Sequence, residues 1–407
     1  HANIPFPYEK RNDYPYNKTI TGLKWSNDLN NTKRIKCYIE SLFLILRNKV
    51  ILNNGDLSQT KIVWFYPISM TRHRFNLFKS EWEAAYKKYF SNNINNIIPV
   101  TESIAPYEYY KRGFGANANM VNIDIGGGTT DVLISENGDI KHISSFRFAA
   151  NSIFGNGYGD NNGLKKNGII NQFDAQLEQL ISDNLKNDSE IKDIYNNLKQ
   201  KNDSADLATF FFSLVENEKL GGSINFSEIL MKDDSQKMVF VIFYVAIIYH
   251  LAQIMKLKTI KMPRYLSFSG NGSKIIQILT TDKKHLEHFT KLIFEKVYGE
   301  KYNSNGLTIH EISKTPKEAT CKGGIACQVA QDYSQISETK TVLLSAEKSI
   351  FIGTETYKSI NNDIIEVVGT EASNFIKLIF VLNSEFSFKN NFGVDNTSIE
   401  IARKVCF

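Results

Sequence analysis

The sequence is poor in the residues that mark out specialised classes of protein. It has four cysteines in 407 residues, Cys37, Cys321, Cys327 and Cys406, at no metal-type spacing. That excludes a disulfide framework and a cysteine-based zinc site, and reduced thiols in a cytoplasmic protein are the expectation. No excess of one charge is present: 48 basic against 43 acidic residues give a net charge of +5, spread along the chain. A balance so mild and dispersed argues against nucleic acid as a partner. Long hydrophobic runs are nearly absent as well. The one exception, Met238 to Met255, is interrupted by Tyr244, Tyr249, His250 and Gln253 and reads as a buried core helix, with no membrane partner expected. No secretory signal and no internal repeat are visible. His73 and His250 have no matching partner motif and are read as structural.

What the chain does have is the composition of an ordinary globular protein, 42% hydrophobic and 22% charged, with length enough for two lobes. Its most informative segment is Asn122 to Val132, N-I-D-I-G-G-G-T-T-D-V. Val121, Ile123 and Ile125 alternate with Asn122 and Asp124, which predicts a strand entering a core. The strand runs into Gly126, Gly127 and Gly128, then Thr129, Thr130 and Asp131, and an apolar strand resumes at Val132. Glycines let backbone N–H groups approach a phosphate closely, and threonine hydroxyls add donors. Asp124 and Asp131 can hold a hydrated divalent cation or orient a water. Glu136-Asn137-Gly138-Asp139 then supplies a hairpin turn. No Gly-Lys-Ser/Thr follows the glycines, so this is not a P-loop.

This segment resembles the second phosphate-binding loop of the actin, sugar-kinase and heat-shock chaperone ATPase superfamily, and other segments agree in the same order. Lys61 to Tyr66 is an apolar strand followed by Pro67-Ile68-Ser69, and Arg72 to Phe90 is helical, with Phe75, Phe78, Trp82, Ala85 and Tyr89 at helical spacing. Ile97 to Val100 leads to Thr101-Glu102-Ser103-Ile104-Ala105-Pro106, similar to the family's first connecting helix. Arg264 to Ile276 resembles the adenosine motif, and Pro316 to Ala326 the second connecting helix, whose Gly-Gly-x-Ala lets two helices cross closely. One departure is large. The family opens with an Asp-x-Gly-Thr-type hairpin, and no such hairpin precedes Lys61. The expectation is therefore a carboxy-terminal piece of a longer protein, or a chain whose first hairpin was cut away. Such a chain binds ATP weakly and hydrolyses it negligibly.

The fold implied is α/β: a two-lobed actin-like ATPase (ribonuclease H-like) fold with a helical insert and an extra C-terminal segment. Residues 1–115 form an incomplete first lobe, completed by a helix over 316–332. Residues 116–315 form a second lobe carrying a subdomain over 160–234, and 333–407 are a C-terminal extension. A mixed five-stranded sheet is expected in each lobe. Lys33 to Val50 predicts an amphipathic helix, with Ile35, Ile39, Leu42, Phe43 and Leu46 on one side. The extension holds a strand-like stretch, Thr341 to Ser345, and a helix around Ala372 to Leu382.

The resemblance also assigns roles. Phosphoryl transfer to water needs positioning and charge neutralisation, not a covalent nucleophile. Asp124 is the expected metal ligand, holding the Mg2+ hydration shell or orienting the attacking water, with Glu102 and Asp131 as further catalytic carboxylates. Gly126, Gly127, Gly128, Thr129 and Thr130 bind the phosphates of ATP. Glu216 and Lys219 contact ribose and purine, while Gly270, Asn271, Gly272 and Ser273 back the adenine. Ala149-Ala150-Asn151 stands where the family has a Gly-Gly turn. The implied function is an ATP-binding conformational switch with slow hydrolysis. The alternatives are an actin-like filament or plasmid-segregation protein, or a catalytically inactive scaffold, so the partner is an unknown protein or a second copy.

Overall fold

The structure, a computed structural model, describes residues 29–68, 70–114, 118–158, 164–184, 189–201, 203–216, 224–303, 306–310, 316–327 and 361–406. The chain forms two compact units: residues 1–110 with 318–335, and residues 111–317 with 336–407.

The first unit begins with α1 (Leu29–Leu52), β1 (Ile62–Tyr66), α2 (Arg72–Tyr89), β2 (Ile97–Thr101) and α3 (Ile104–Phe114), whose last turn passes into the second unit. Thr71 caps α2, its hydroxyl accepting from Arg74 N–H at 3.4 Å, and Lys87 and Lys88 in the last turn complement the helix dipole. β1 and β2 pair in parallel from Ile62–Ile97 to Tyr66–Thr101. The alternation along β1 sends Ile62 and Trp64 into a core with Ile35, Ile39 and Phe43 of α1 and Ala85 and Tyr86 of α2. Trp64 stacks on Trp82 with ring centroids 5.5 Å apart and planes 7° apart. Two sequence expectations change here. The buried line of α1 ends at Phe43, and Leu46, a turn further on, is 37% exposed. Among the described residues this unit has two strands where five were expected.

The second unit holds the five-stranded sheet, built from β3 (Met120–Ile125), β4 (Thr130–Glu136), β5 (Asp139–Phe146), β8 (Tyr265–Ser269) and β9 (Thr308–Ile309) in the order β5-β4-β3-β8-β9. β3, β4 and β5 run antiparallel, whereas β3, β8 and β9 are parallel. Asn137 and Gly138 both have positive φ, 54° and 84°, as a two-residue hairpin turn requires. Between β5 and β8 lie α4 (Asn151–Phe154), the short pair β6 (Gly157–Tyr158) and β7 (Leu164–Lys165), and the helices α5 (Gly168–Asn184), α6 (Ser189–Lys201), α7 (Ser204–Ser213), α8 (Phe226–Lys232) and α9 (Lys237–Leu257). After β8 come α10 (Lys274–Leu279) and α11 (Lys283–Tyr298). α12 (Pro316–Ala326) returns to the first unit, and α13 (Asn362–Phe386), α14 (Phe388–Phe392) and α15 (Asn396–Cys406) close the chain.

Val121, Ile123, Ile125, Val132, Ile134, Leu266 and Phe268 form one apolar sheet face, which shares a core with α9 and α11. α9 is long and apolar enough to cross a membrane, but 67% of its most apolar window is buried, which makes it the core helix expected. The C-terminal helices join that core. Phe289 of α11 packs against Phe386 at 4.9 Å and Phe392 at 5.0 Å, with Leu382, Phe388 and Val394 fully buried. Thr341 to Ser345 lie outside the described residues. The helical insert is tied by a buried polar network. Asp174 accepts from Lys166 Nζ at 2.7 Å and Tyr195 OH at 2.5 Å, and Lys199 lies 3.7 Å away. Burial alone raises a carboxyl pKa, but these hydrogen bonds hold Asp174 below the ordinary carboxylate range.

Candidate functional site

The second face of the same sheet carries a group of buried polar residues beside the apolar Met120, Leu133 and Ile143. In-register pairing puts Asn122 beside Ser267 and Asp124 beside Ser269 on one side and opposite Asp131 on the other. All six of these residues are buried: Asn122, Asp124, Asp131, Ser267, Ser269 and, one pair further along β4, Ser135 opposite Met120. Buried hydroxyls and carboxylates are costly unless they are hydrogen-bonded. Two of the pairs meet that need directly. Ser267 Oγ donates to Asn122 Oδ1 at 2.9 Å, and Ser269 Oγ donates to Asp124 Oδ2 at 3.0 Å.

β3 and β8 are parallel neighbours and end side by side, each in a glycine turn. The β3 turn closes when Gly126 N–H donates to Thr129 O at 2.9 Å. Gly127 and Gly128 are exposed at its tip, and their N–H groups make no hydrogen bond among the described residues. The Ala149-Ala150-Asn151 segment, entering α4, docks beneath: Ala150 N–H donates to Gly126 O at 3.2 Å and Asn151 N–H to Gly127 O at 2.7 Å. The β8 turn starts at Gly270, with φ 77°, a conformation glycine adopts without strain. A Cβ on Gly270 would collide with Ile125 O and Asp124 Oδ1, and one on Gly272 would lie 2.5 Å from Gly126 O. The two turns therefore touch backbone to backbone, and a ligand would lie across them instead of between them.

The remaining candidate residues are distributed unevenly. Thr129 Oγ1 donates to Asp131 Oδ2 at 3.3 Å. Thr130 is fully buried and donates to Phe148 O at 2.6 Å, so that hydroxyl faces the protein. Asn271 is exposed, while Ser273 is buried with its hydroxyl on Gly270 O at 2.7 Å, which closes the turn. Glu102 belongs to the first unit, where its N–H donates to Tyr66 O at 2.9 Å. Glu216 ends a short 3-10 turn (Leu214–Glu216), and Lys219 lies outside the described residues. Among the described residues no group of three His, Cys, Asp or Glu side chains could form a metal cage. Sequence reasoning missed Ser269. The signal for Ser269 was its place directly before Gly270, but its partner lies 145 residues away.

The fold is that of a mixed α/β protein, and its candidate site is a pair of glycine turns at the carboxyl ends of two adjacent parallel strands, the end of the strands at which open α/β sheets bind ligands. No protein-family model matches the sequence, and no curated protein does. Among solved structures the chain is similar to the ethanolamine utilization protein EutJ from Carboxydothermus hydrogenoformans, with 12% identity, coverage of 71% of this chain and 74% of that one, and a TM-score of 0.30.

Proposed function

We propose that the chain is an ATP-binding protein of the actin-like ATPase superfamily, a nucleotide-dependent conformational switch with slow Mg2+-dependent hydrolysis. One observation supports this reading above the others: the glycine turns of β3 and β8 meet with the Asp124 carboxylate at their junction. Exposed N–H groups at Gly127 and Gly128 suit a phosphate, since small turns of successive N–H groups bind anions. Mg2+ is held through one or two carboxylates, with waters and phosphate oxygens completing the shell. Asp124 and Asp131, opposed across β3 and β4, fit that donor set, and a larger protein cage is not needed. When bound, Mg2+ would neutralise phosphate charge.

In this reading Gly127 and Gly128 bind phosphate oxygens, Asp124 orients the water or the metal's hydration shell, and Asn271 on the exposed turn lies toward the base. Asp131 assists, and Glu216 and Lys219 keep the role of ribose and purine contacts. Calorimetric titration with ATP–Mg2+ tests the proposal. Saturable binding that Asp124→Ala weakens supports it, and the absence of binding at millimolar ATP–Mg2+ overturns it. In any form of the protein that turns ATP over, Asp124→Ala should abolish turnover and reduce binding less, because its role concerns metal or water and not the purine.

A further inference from the structure

Ser269 is fully buried at the end of β8, directly before the Gly270 turn. It sits in register with Asp124, and its hydroxyl donates to Asp124 Oδ2. The other carboxylate oxygen, Oδ1, lies against Gly270, so closely that any side chain there would strike it. One oxygen thus accepts the Ser269 hydrogen bond, and the other lies where only a glycine leaves it room. Two residues earlier the arrangement repeats, with Ser267 holding the Asn122 carbonyl, while Asn122 Nδ2 is buried without a hydrogen-bond partner among the described residues. Apolar side chains would fill positions 267 and 269 without any polar group to satisfy. The second rung holds an amide that carries no charge, and only the first holds a carboxylate.

We infer that Ser269 is a positioning residue that fixes the Asp124 carboxylate in one orientation for a hydrated divalent cation at the β3 turn. The inference rests on the nucleotide-binding function proposed for this site. A hydrogen bond to an ionised carboxylate is stronger than one between neutral groups. A hydroxyl used this way takes one of the roughly four acceptor sites of a carboxylate. Groups that hydrogen-bond a metal-binding carboxylate from behind typically change metal affinity when removed, because the ligand then rotates.

The experiment compares wild type, Ser269→Ala, Ser269→Thr and Ser267→Ala by titrating ATP at several Mg2+ concentrations and in EDTA, with thermal melting on each variant. Ser269→Ala should weaken the Mg2+-dependent part of ATP affinity roughly tenfold to hundredfold. Metal-free ATP affinity should stay unchanged, Ser269→Thr should recover most of the loss, and Ser267→Ala should keep the wild-type Mg2+ dependence. Wild-type Mg2+ dependence in Ser269→Ala overturns the inference while leaving nucleotide binding intact. Equal losses in Ser267→Ala and Ser269→Ala overturn it too, since that outcome marks general damage to the sheet. Should Ser269→Ala fail to fold, Ser269→Cys keeps the size with a weaker donor, and wild-type Mg2+ dependence in that variant overturns the inference in the same way. A wild type that binds ATP equally in Mg2+ and in EDTA overturns the positioning role while leaving the nucleotide site standing, and one that binds ATP under neither condition sinks both.

Discussion

Gly323 of α12 and Ala105 of α3 cross so closely that a Cβ on Gly323 would overlap the Ala105 carbonyl oxygen. The neighbouring Gly324 faces the Phe65 ring of β1, which a Cβ there would approach to 2.4 Å. A side chain at position 323 meets backbone, which cannot move aside as a flexible side chain can. Gly323→Ala should therefore destabilise the first unit by about 3 kcal/mol or more, above the ordinary cost of overpacking. Gly113 in α3 is the internal control, because a Cβ there meets nothing within 4 Å among the described residues. Gly113→Ala should be neutral or stabilising by up to about 1 kcal/mol, since alanine loses less chain entropy in a helix. Denaturant unfolding of both variants checks the pair, and a Gly323→Ala protein as stable as wild type would show that the helices do not cross this tightly.

The glycine turns make a second contrast. Gly270 has positive φ and no room for a side chain, whereas Gly128 has neither restriction. Gly270→Ala should cost at least about 2 kcal/mol and displace Asp124, so that both the melting temperature and ATP–Mg2+ affinity fall. Gly128→Ala should leave the melting temperature unchanged. If the exposed tip binds phosphate, its methyl group should still reduce ATP–Mg2+ affinity roughly tenfold, the scale of one hydrogen bond. Undiminished binding by Gly128→Ala would remove the tip from the site.

These positions also show what the sequence made legible. The alternation in Val121 to Ile125, the three glycines and the Asn137-Gly138 turn are local features, and all became elements of the expected kind. Asp124 and Asp131 are close in sequence around one hairpin, so their opposition could be read from the pattern. Ser269 could not be placed beside Asp124, because the register of β3 on β8 is fixed by packing across a long insertion. α1 shows the same limit: its spacing predicted a face through Leu46, but only tertiary contact decides where a buried line stops. The helix around Ala372 to Leu382 was visible as well, inside α13. That Phe386 and Phe392 enter the core around Phe289 depends on a partner nearly 100 residues upstream.

His142 leads to a prediction about pH. It is fully buried on β5, in register with Ile134 of the apolar sheet face. Burial, with a smaller contribution from the Lys258 charge, pushes its pKa down to about 4 from an ordinary 6.5. Burial also lowers the pKa of His250 on α9. Between the two pKa values of His142 the unfolded chain binds a proton that the folded chain refuses, so stability falls as pH falls. The contribution is fully present above about pH 6.5 and is lost progressively toward pH 4, reaching about 3 kcal/mol at one pKa unit per 1.36 kcal/mol. Asp174, whose pKa is depressed below 3.8, has its window at still lower pH and should not overlap. Urea unfolding at pH 7, 5.5 and 4.5 should show the loss in wild type. His142→Leu, which cannot titrate, should flatten the curve over that range while His250 retains a smaller slope. A wild-type stability that stays constant from pH 7 to 4.5 would mean that His142 is reached by water and titrates freely in the folded protein.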